Sequence, residues 1–155
     1  MELCRTIVVG GCNMMARILF LAITLSFSLG VVTEHGVSAS EFYTLNVGQL
    51  RAGLEKGFSL DRKPFILIDV RSPQEHAAGV IPGTDLNIDF REIRDRHREI
   101  GAKLDDHIVL YCQSGRRSGI AAQALADLGY RHVYNVDGSM NAWVEAGYPV
   151  QPPRR

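Results

Sequence analysis

The chain has 155 residues, of which 46% are hydrophobic and 22% are charged, a composition that excludes a protein disordered throughout. Its 17 basic residues balance its 17 acidic residues, so the formal net charge is zero. Bulk electrostatics therefore give no support for a nucleic-acid partner or for attraction to an acidic membrane surface.

The first 39 residues differ in character from the rest of the chain. Arg17 precedes an apolar run over residues 18–32, which is short for a membrane span, and Val37-Ser38-Ala39 supplies small residues of the kind that a signal peptidase cleaves. We therefore predict a signal segment over residues 1–39 and an exported, periplasmic domain over residues 40–155, with no stable membrane association after cleavage. An uncleaved N-terminal membrane anchor is the alternative.

Cleavage after Ala39 would remove Cys4 and Cys12 and leave Cys112 as the one thiol of the mature domain. An unpaired cysteine is a liability in an oxidising compartment, so its presence favours a functional role. The three cysteines have no metal-ligand spacing and no histidine pair beside them, and we expect neither a metal nor an organic cofactor.

Apolar runs of strand length alternate with helical patterns through residues 40–155. The expected strands lie at residues 43–45, 64–70, 86–88, 107–111 and 133–136. Ser72, Pro73 and Glu75 form a helix start with a capping box. Residues 90–104 are interpreted as one amphipathic helix that turns its arginines to solvent and carries His97 at the edge of the core. This alternation predicts an α/β three-layer sandwich, with a mainly parallel sheet of about five strands flanked by helices.

Cys112 stands where the fourth expected strand gives way to a helix. In an α/β fold this is the sheet edge where ligands bind, and the amides of such a turn favour an anion and lower the pKa of a thiol. Small polar residues around the cysteine predict an uncovered sulfur, although a buried, inert cysteine is the common alternative. We predict a nucleophilic cysteine in an anion-binding loop made of Gln113, Ser114, Gly115, Arg116 and Arg117. Asp69 and Arg71 end a neighbouring strand at the same edge.

Four motifs occur in a fixed order: LIDVRSPQE at residues 67–75, GVIPG at 79–83, YCQSGRRS at 111–118 and VYNVDGSMNAW at 133–143. Over residues 42–150 they resemble the single-domain rhodaneses, which are thiosulfate sulfurtransferases. The chain departs from the family pattern at three positions. His76 stands where an aromatic residue is common, Val80 where histidine is common and Ser139 where glycine is frequent.

The resemblance implies that Cys112 takes the outer sulfur of thiosulfate, or of a similar small anionic donor, as a persulfide. Cyanide or a thiol then accepts that sulfur. Arg116 would meet the charge of the donor, and Arg117 would close the loop by hydrogen bonding. Asp69 and Arg71 would support the site, either as substrate contacts or as a structural ion pair below the loop.

Two other functions remain open at this point. A persulfide carrier or interaction module would deliver sulfur to a protein acceptor that the sequence does not identify. A cysteine phosphatase or arsenate reductase shares the fold but has five residues between cysteine and arginine. Here only four separate Cys112 from Arg117, and a smaller ring suits one sulfur atom better than a phosphate.

Overall fold

The computed structural model describes residues 41–56 and 63–154. The predicted signal segment and its cleavage site lie outside these residues. The strands are β1 Tyr43–Leu45, β2 Phe65–Asp69, β3 Leu86–Asn87, β4 His107–Tyr111 and β5 His132–Val136. The α-helices are α1 Val47–Lys56, α2 Pro73–Ala78, α3 Ile93–Arg96, α4 Arg116–Asp127 and α5 Ser139–Glu145, and a 3-10 helix follows α3 at His97–Ile100.

The five strands form one sheet in the order β1-β5-β4-β2-β3, and all four pairings are parallel. This confirms the predicted α/β class. β4 lies at the centre and all five of its residues are buried, as expected for a strand covered on both faces. The register sets Asp69 beside Tyr111, so residues 70 and 112 leave the sheet at the same edge.

Alternate side chains of the strands enter two separate cores, because successive residues of a strand point to opposite faces. One core joins Ile108 and Leu110 to α3 and α4, and the other joins Val109 and Tyr111 to α1 and α5. Trp143 of α5 is 2% exposed in the second core. Burial of each large apolar side chain contributes about 1.5–3 kcal/mol, which fixes the helices on both faces and gives the three layers.

The start of α2 confirms the predicted capping box. Ser72 Oγ accepts a hydrogen bond from the Glu75 amide, and Glu75 Oε2 accepts one from the Ser72 amide at 3.1 Å. Pro73 occupies the first helical position, where the absence of an N–H costs nothing. Glu75 is thereby held at the end of the helix that faces the carboxyl edge of the sheet.

The single helix predicted over residues 90–104 is wrong. Phe90 is not yet helical, because its amide donates to the carbonyl of Val70. The carboxylate of Asp89 accepts hydrogen bonds from the amide and the guanidinium of Arg91. Helical structure begins only at Ile93 and ends as a 3-10 turn before Gly101. Arg91 therefore lies near the carboxyl edge of the sheet and not on a helix face.

His97 is at the core edge as expected, where its Nδ1 lies 3.1 Å from the hydroxyl of Tyr130.

Within residues 41–56 and 63–154, no helix combines the length and the apolar character needed to cross a bilayer.

Candidate active site

The loop between β4 and α4 carries Cys112. Gly115 caps the start of α4 with a φ of +93°, a conformation that favours glycine. A Cβ at this position would lie 3.2 Å from the amide nitrogen of Gly138 and 3.3 Å from the carbonyl oxygen of Val136. The loop therefore packs directly on the backbone that joins β5 to α5.

Hydrogen-bond donors converge on the sulfur of Cys112. The amide of Gly115 lies 3.2 Å from Sγ, and the hydroxyl of Ser118 lies 3.4 Å from it. Burial raises the pKa of the Cys112 thiol, but the hydrogen bonds from the Ser118 hydroxyl and from the amides of Ser118, Ser114 and Gly115 outweigh it. The net effect is a pKa below the usual range for a thiol, which favours the nucleophilic thiolate. The amides predicted from the sequence thus face inward.

The prediction of an uncovered thiol is wrong, because Cys112 has an exposed fraction of 0%. Small polar loop residues do not leave the sulfur open. Their backbone amides bend over it to donate hydrogen bonds. Reaction with a sulfur donor therefore requires part of this cover to move.

Gly115 occupies the cap position of α4. The hydroxyl of Ser118 lies in the first turn of the helix, where it reaches the carbonyl oxygen of Gly115 and the sulfur of Cys112. Ser118 is fully buried and contacts the sulfur, so it belongs to the site, although the sequence analysis did not include it among the site residues.

Arg117 joins the loop to α2. Its Nη1 and Nη2 donate to Glu75 Oε2 at 2.8 Å and Oε1 at 2.6 Å, a two-pronged ion pair across 42 residues of sequence. This hydrogen bonding lowers the pKa of Glu75 to about 2. Arg117 was expected to close the loop by hydrogen bonding, and its partner is this carboxylate of a neighbouring helix. Sequence reasoning assigned Glu75 only to the capping box and missed this second role.

Arg116 differs from Arg117 in its surroundings. It is exposed, and it forms no ion pair with any residue in the part of the chain that the structure describes. Its positive charge stands at the first position of α4, where the helix amides add a partial positive charge of their own. Arg116 is therefore the loop cation available to an incoming anion.

The start of α5 holds the other side of the loop. The amides of Met140 and Asn141 donate to the carbonyls of Cys112 and Gln113, at 3.1 and 2.9 Å. The side-chain amide of Gln113 also donates to Asn141 Oδ1 at 2.5 Å. These bonds orient the loop so that its remaining amides turn toward the sulfur.

Asp69 and Arg71 lie below this edge and are both buried, at 0% and 4% exposed. Arg71 Nη2 donates to Asp69 Oδ2 at 2.7 Å and to the carbonyl of Gly79 at 2.6 Å, and His76 Nδ1 lies 3.0 Å from the same Asp69 oxygen. Of the two roles left open for this pair, the burial supports a structural ion pair and not a substrate contact.

Among the residues that the structure describes, no group of three histidine, cysteine, aspartate or glutamate side chains is placed to hold a metal ion.

Comparisons with a family model, with known sequences and with solved structures all point to one family. The family model for the rhodanese-like domain matches residues 46–146. A sulfurtransferase of Allochromatium vinosum is 38% identical over 93 residues, covering 60% of this chain and 84% of the relative. A human thiosulfate:glutathione sulfurtransferase is 33% identical over 114 residues, covering 66% and 93%. Among solved structures, a rhodanese-like domain protein of Staphylococcus aureus is 26% identical with a TM-score of 0.58, covering 72% of this chain and 99% of that one.

We predict that Ser118→Ala raises the pKa of the Cys112 thiol, because the side-chain hydrogen bond that favours the thiolate is lost. The rate of Cys112 alkylation by iodoacetamide, measured against pH, should move to higher pH. Ser114→Ala is the matched control, since it removes an exposed hydroxyl and leaves the backbone amide in place. Equal profiles for the wild type and Ser118→Ala would contradict this role of the hydroxyl.

Two Asp-x-Arg pairs of nearly identical geometry offer a second test. Arg71→Met leaves the buried carboxylate of Asp69 without its main partner and should cost about 3–5 kcal/mol in the free energy of unfolding. Arg91→Met breaks the same fork at Asp89, whose side chain is 8% exposed, but Arg91 itself is 71% exposed, so water can take the place of the guanidinium and a smaller loss is expected. Urea unfolding at pH 7 measures both. Equal losses in the two variants would show that the exposure of the arginine does not control the contribution of the pair.

Proposed function

The chain belongs to the rhodanese-like domain family, and from that membership and the geometry of its loop we propose that it is a thiosulfate sulfurtransferase working through a Cys112 persulfide. The comparisons support sulfur transfer in general, since several relatives are sulfurtransferases at 33–38% identity. The observation that carries the proposal is the convergence of hydrogen-bond donors on the Cys112 sulfur.

The first half-reaction follows from the charges at the loop. Thiosulfate is a small dianion, and Arg116 presents an exposed positive charge to it. The Cys112 thiolate attacks the outer sulfur of the donor. A new S–S bond forms at Sγ, the S–S bond of thiosulfate breaks, and its electron pair leaves with sulfite.

The second half-reaction regenerates the thiolate. The terminal sulfur of the persulfide carries negative charge, and the inward-facing amides of the loop are the groups that would stabilise it. Cyanide or a thiol then attacks this terminal sulfur, and the electron pair of the S–S bond returns to Cys112. The scheme is a two-step transfer that consumes no external oxidant or reductant.

The acceptor class is proposed from a relative and from the chemistry of a persulfide. One relative is a thiosulfate:glutathione sulfurtransferase, and glutathione, like cyanide, is a thiophile that could discharge a persulfide. Neither acceptor needs a metal or an organic cofactor to react with the terminal sulfur. We propose a small thiol or cyanide, in preference to a protein acceptor.

Mass spectrometry of the intact protein tests the proposal. Treatment with thiosulfate should add one sulfur atom to the wild type and none to Cys112→Ser. Cyanide should then remove the sulfur and release thiocyanate in an equal amount. An unmodified wild type would overturn the proposal.

Two further readings decide between neighbouring activities. A persulfide that neither cyanide nor small thiols discharge would contradict the small-acceptor proposal and indicate a carrier. Hydrolysis of an aryl phosphate, without thiocyanate formation, would replace the sulfurtransferase assignment by a phosphatase.

We further propose that residues 1–39 are an export signal cleaved after Ala39, on the basis of the apolar run and the small residues that follow it. Expression of the full chain in a Gram-negative host should give a periplasmic protein whose N-terminal sequence begins at Ser40. Full-length chain in the membrane fraction would support an uncleaved anchor, and full-length chain in the cytoplasm would refute export.

A further inference from the structure

The turn from β5 into α5 contains an unusual backbone conformation. Ser139 has a φ of +47°, and within the described residues it is the one non-glycine residue with a positive φ. Gly138 before it also has a positive φ, of +64°. Side chains of L-residues rarely adopt this region, and such outliers concentrate at functional sites.

The hydroxyl of Ser139 makes two contacts that a glycine at this position could not make. Its Oγ donates to the carbonyl of Val136 at 2.7 Å and accepts the amide hydrogen of Cys112 at 3.1 Å. Ser139 is fully buried, so water does not replace either contact. The bond to Val136 orients the hydroxyl so that its lone pairs face the Cys112 amide.

These contacts complete a clamp on the backbone of the nucleophile. The Cys112 carbonyl accepts from the amide of Met140, and the Cys112 amide donates to Ser139 Oγ. Both peptide groups of Cys112 are thus fixed by adjacent residues at the start of α5. Because the Cα–Cβ bond follows from the backbone, this clamp sets the position of Sγ relative to Gly115 and Ser118.

We propose that Ser139 is a positioning residue for sulfur transfer, whose hydroxyl holds the Cys112 backbone so that Sγ lies where the hydrogen-bond donors of the loop converge. The role in turnover rests on the proposed function, whereas the effect on the thiol does not. Without the hydroxyl, the buried Cys112 amide loses its acceptor, the peptide group tilts to find another, and the contacts of Sγ lengthen.

Two variants separate the hydroxyl from the backbone conformation. Ser139→Gly and Ser139→Ala both remove the hydroxyl, but glycine tolerates the positive φ and alanine does not. Ser139→Ala should therefore have the lower Tm of the two. Both variants should shift the pH profile of Cys112 alkylation upward to the same extent. In the thiosulfate:cyanide assay, both should lose about five- to tenfold in kcat/KM, the rate equivalent of one hydrogen bond.

Leu50→Ala is the control for lost stability and loosened packing, because Leu50 is a buried residue of α1 that shares a core with Met140 and Trp143 but is no part of the loop. It should lower Tm and leave the alkylation profile in place. A wild-type profile in Ser139→Gly would overturn the proposal, whether or not Ser139→Ala is shifted. An equal shift in Leu50→Ala would overturn it too. If the wild type transfers no sulfur, the alkylation profiles still decide the role of Ser139, and the proposed function fails separately.

Discussion

The site depends on the hydrogen bonds that reach the buried sulfur of Cys112. Cys112 is fully buried, and burial alone favours the neutral thiol. The amide of Gly115 and the hydroxyl of Ser118 donate to Sγ, and these hydrogen bonds outweigh burial, so the pKa of the thiol lies below its usual range. A donor displaced from Sγ or turned away from it would compensate less for burial. The parallel sheet, which brings the loop and α5 together at one edge, therefore matters chiefly because it fixes these directions.

Two arginine–carboxylate pairs near this edge serve different purposes. The Asp69–Arg71 pair is buried, so it holds the carboxyl end of β2 in one arrangement. The Glu75–Arg117 pair is partly exposed, with side chains that are 34% and 28% accessible, and salt or an anionic substrate can compete for the guanidinium. Of the two pairs, the partly exposed Glu75–Arg117 pair is the one that can break when a sulfur donor approaches Cys112.

The limits of sequence reasoning follow from the range of the interactions. The apolar run of β4 and the capping box at Ser72 depend on neighbouring residues, and both were predicted from local patterns. The Glu75–Arg117 pair spans 42 residues, and a local pattern does not reveal it. The periodicity of residues 90–104 suggested one helix. The carboxylate of Asp89 instead accepts hydrogen bonds from the amide and the guanidinium of Arg91, and the helix begins only at Ile93. The burial of Cys112 depends on how the loop folds over the sulfur, which composition does not determine.

Ser139 shows how local strain and an ordered nucleophile can coexist. A non-glycine residue at a positive φ costs about 1–3 kcal/mol. Its hydroxyl makes two buried hydrogen bonds, each contributing about 0.5–1.5 kcal/mol. The two terms are of similar size, so serine need not be less stable than glycine here. Serine also fixes the direction of the hydrogen bond from the Cys112 amide, because the hydroxyl that accepts it is itself held by the carbonyl of Val136. The strain at Ser139 is tolerated because the two hydrogen bonds of its hydroxyl offset it. The same hydroxyl also orients the backbone of Cys112.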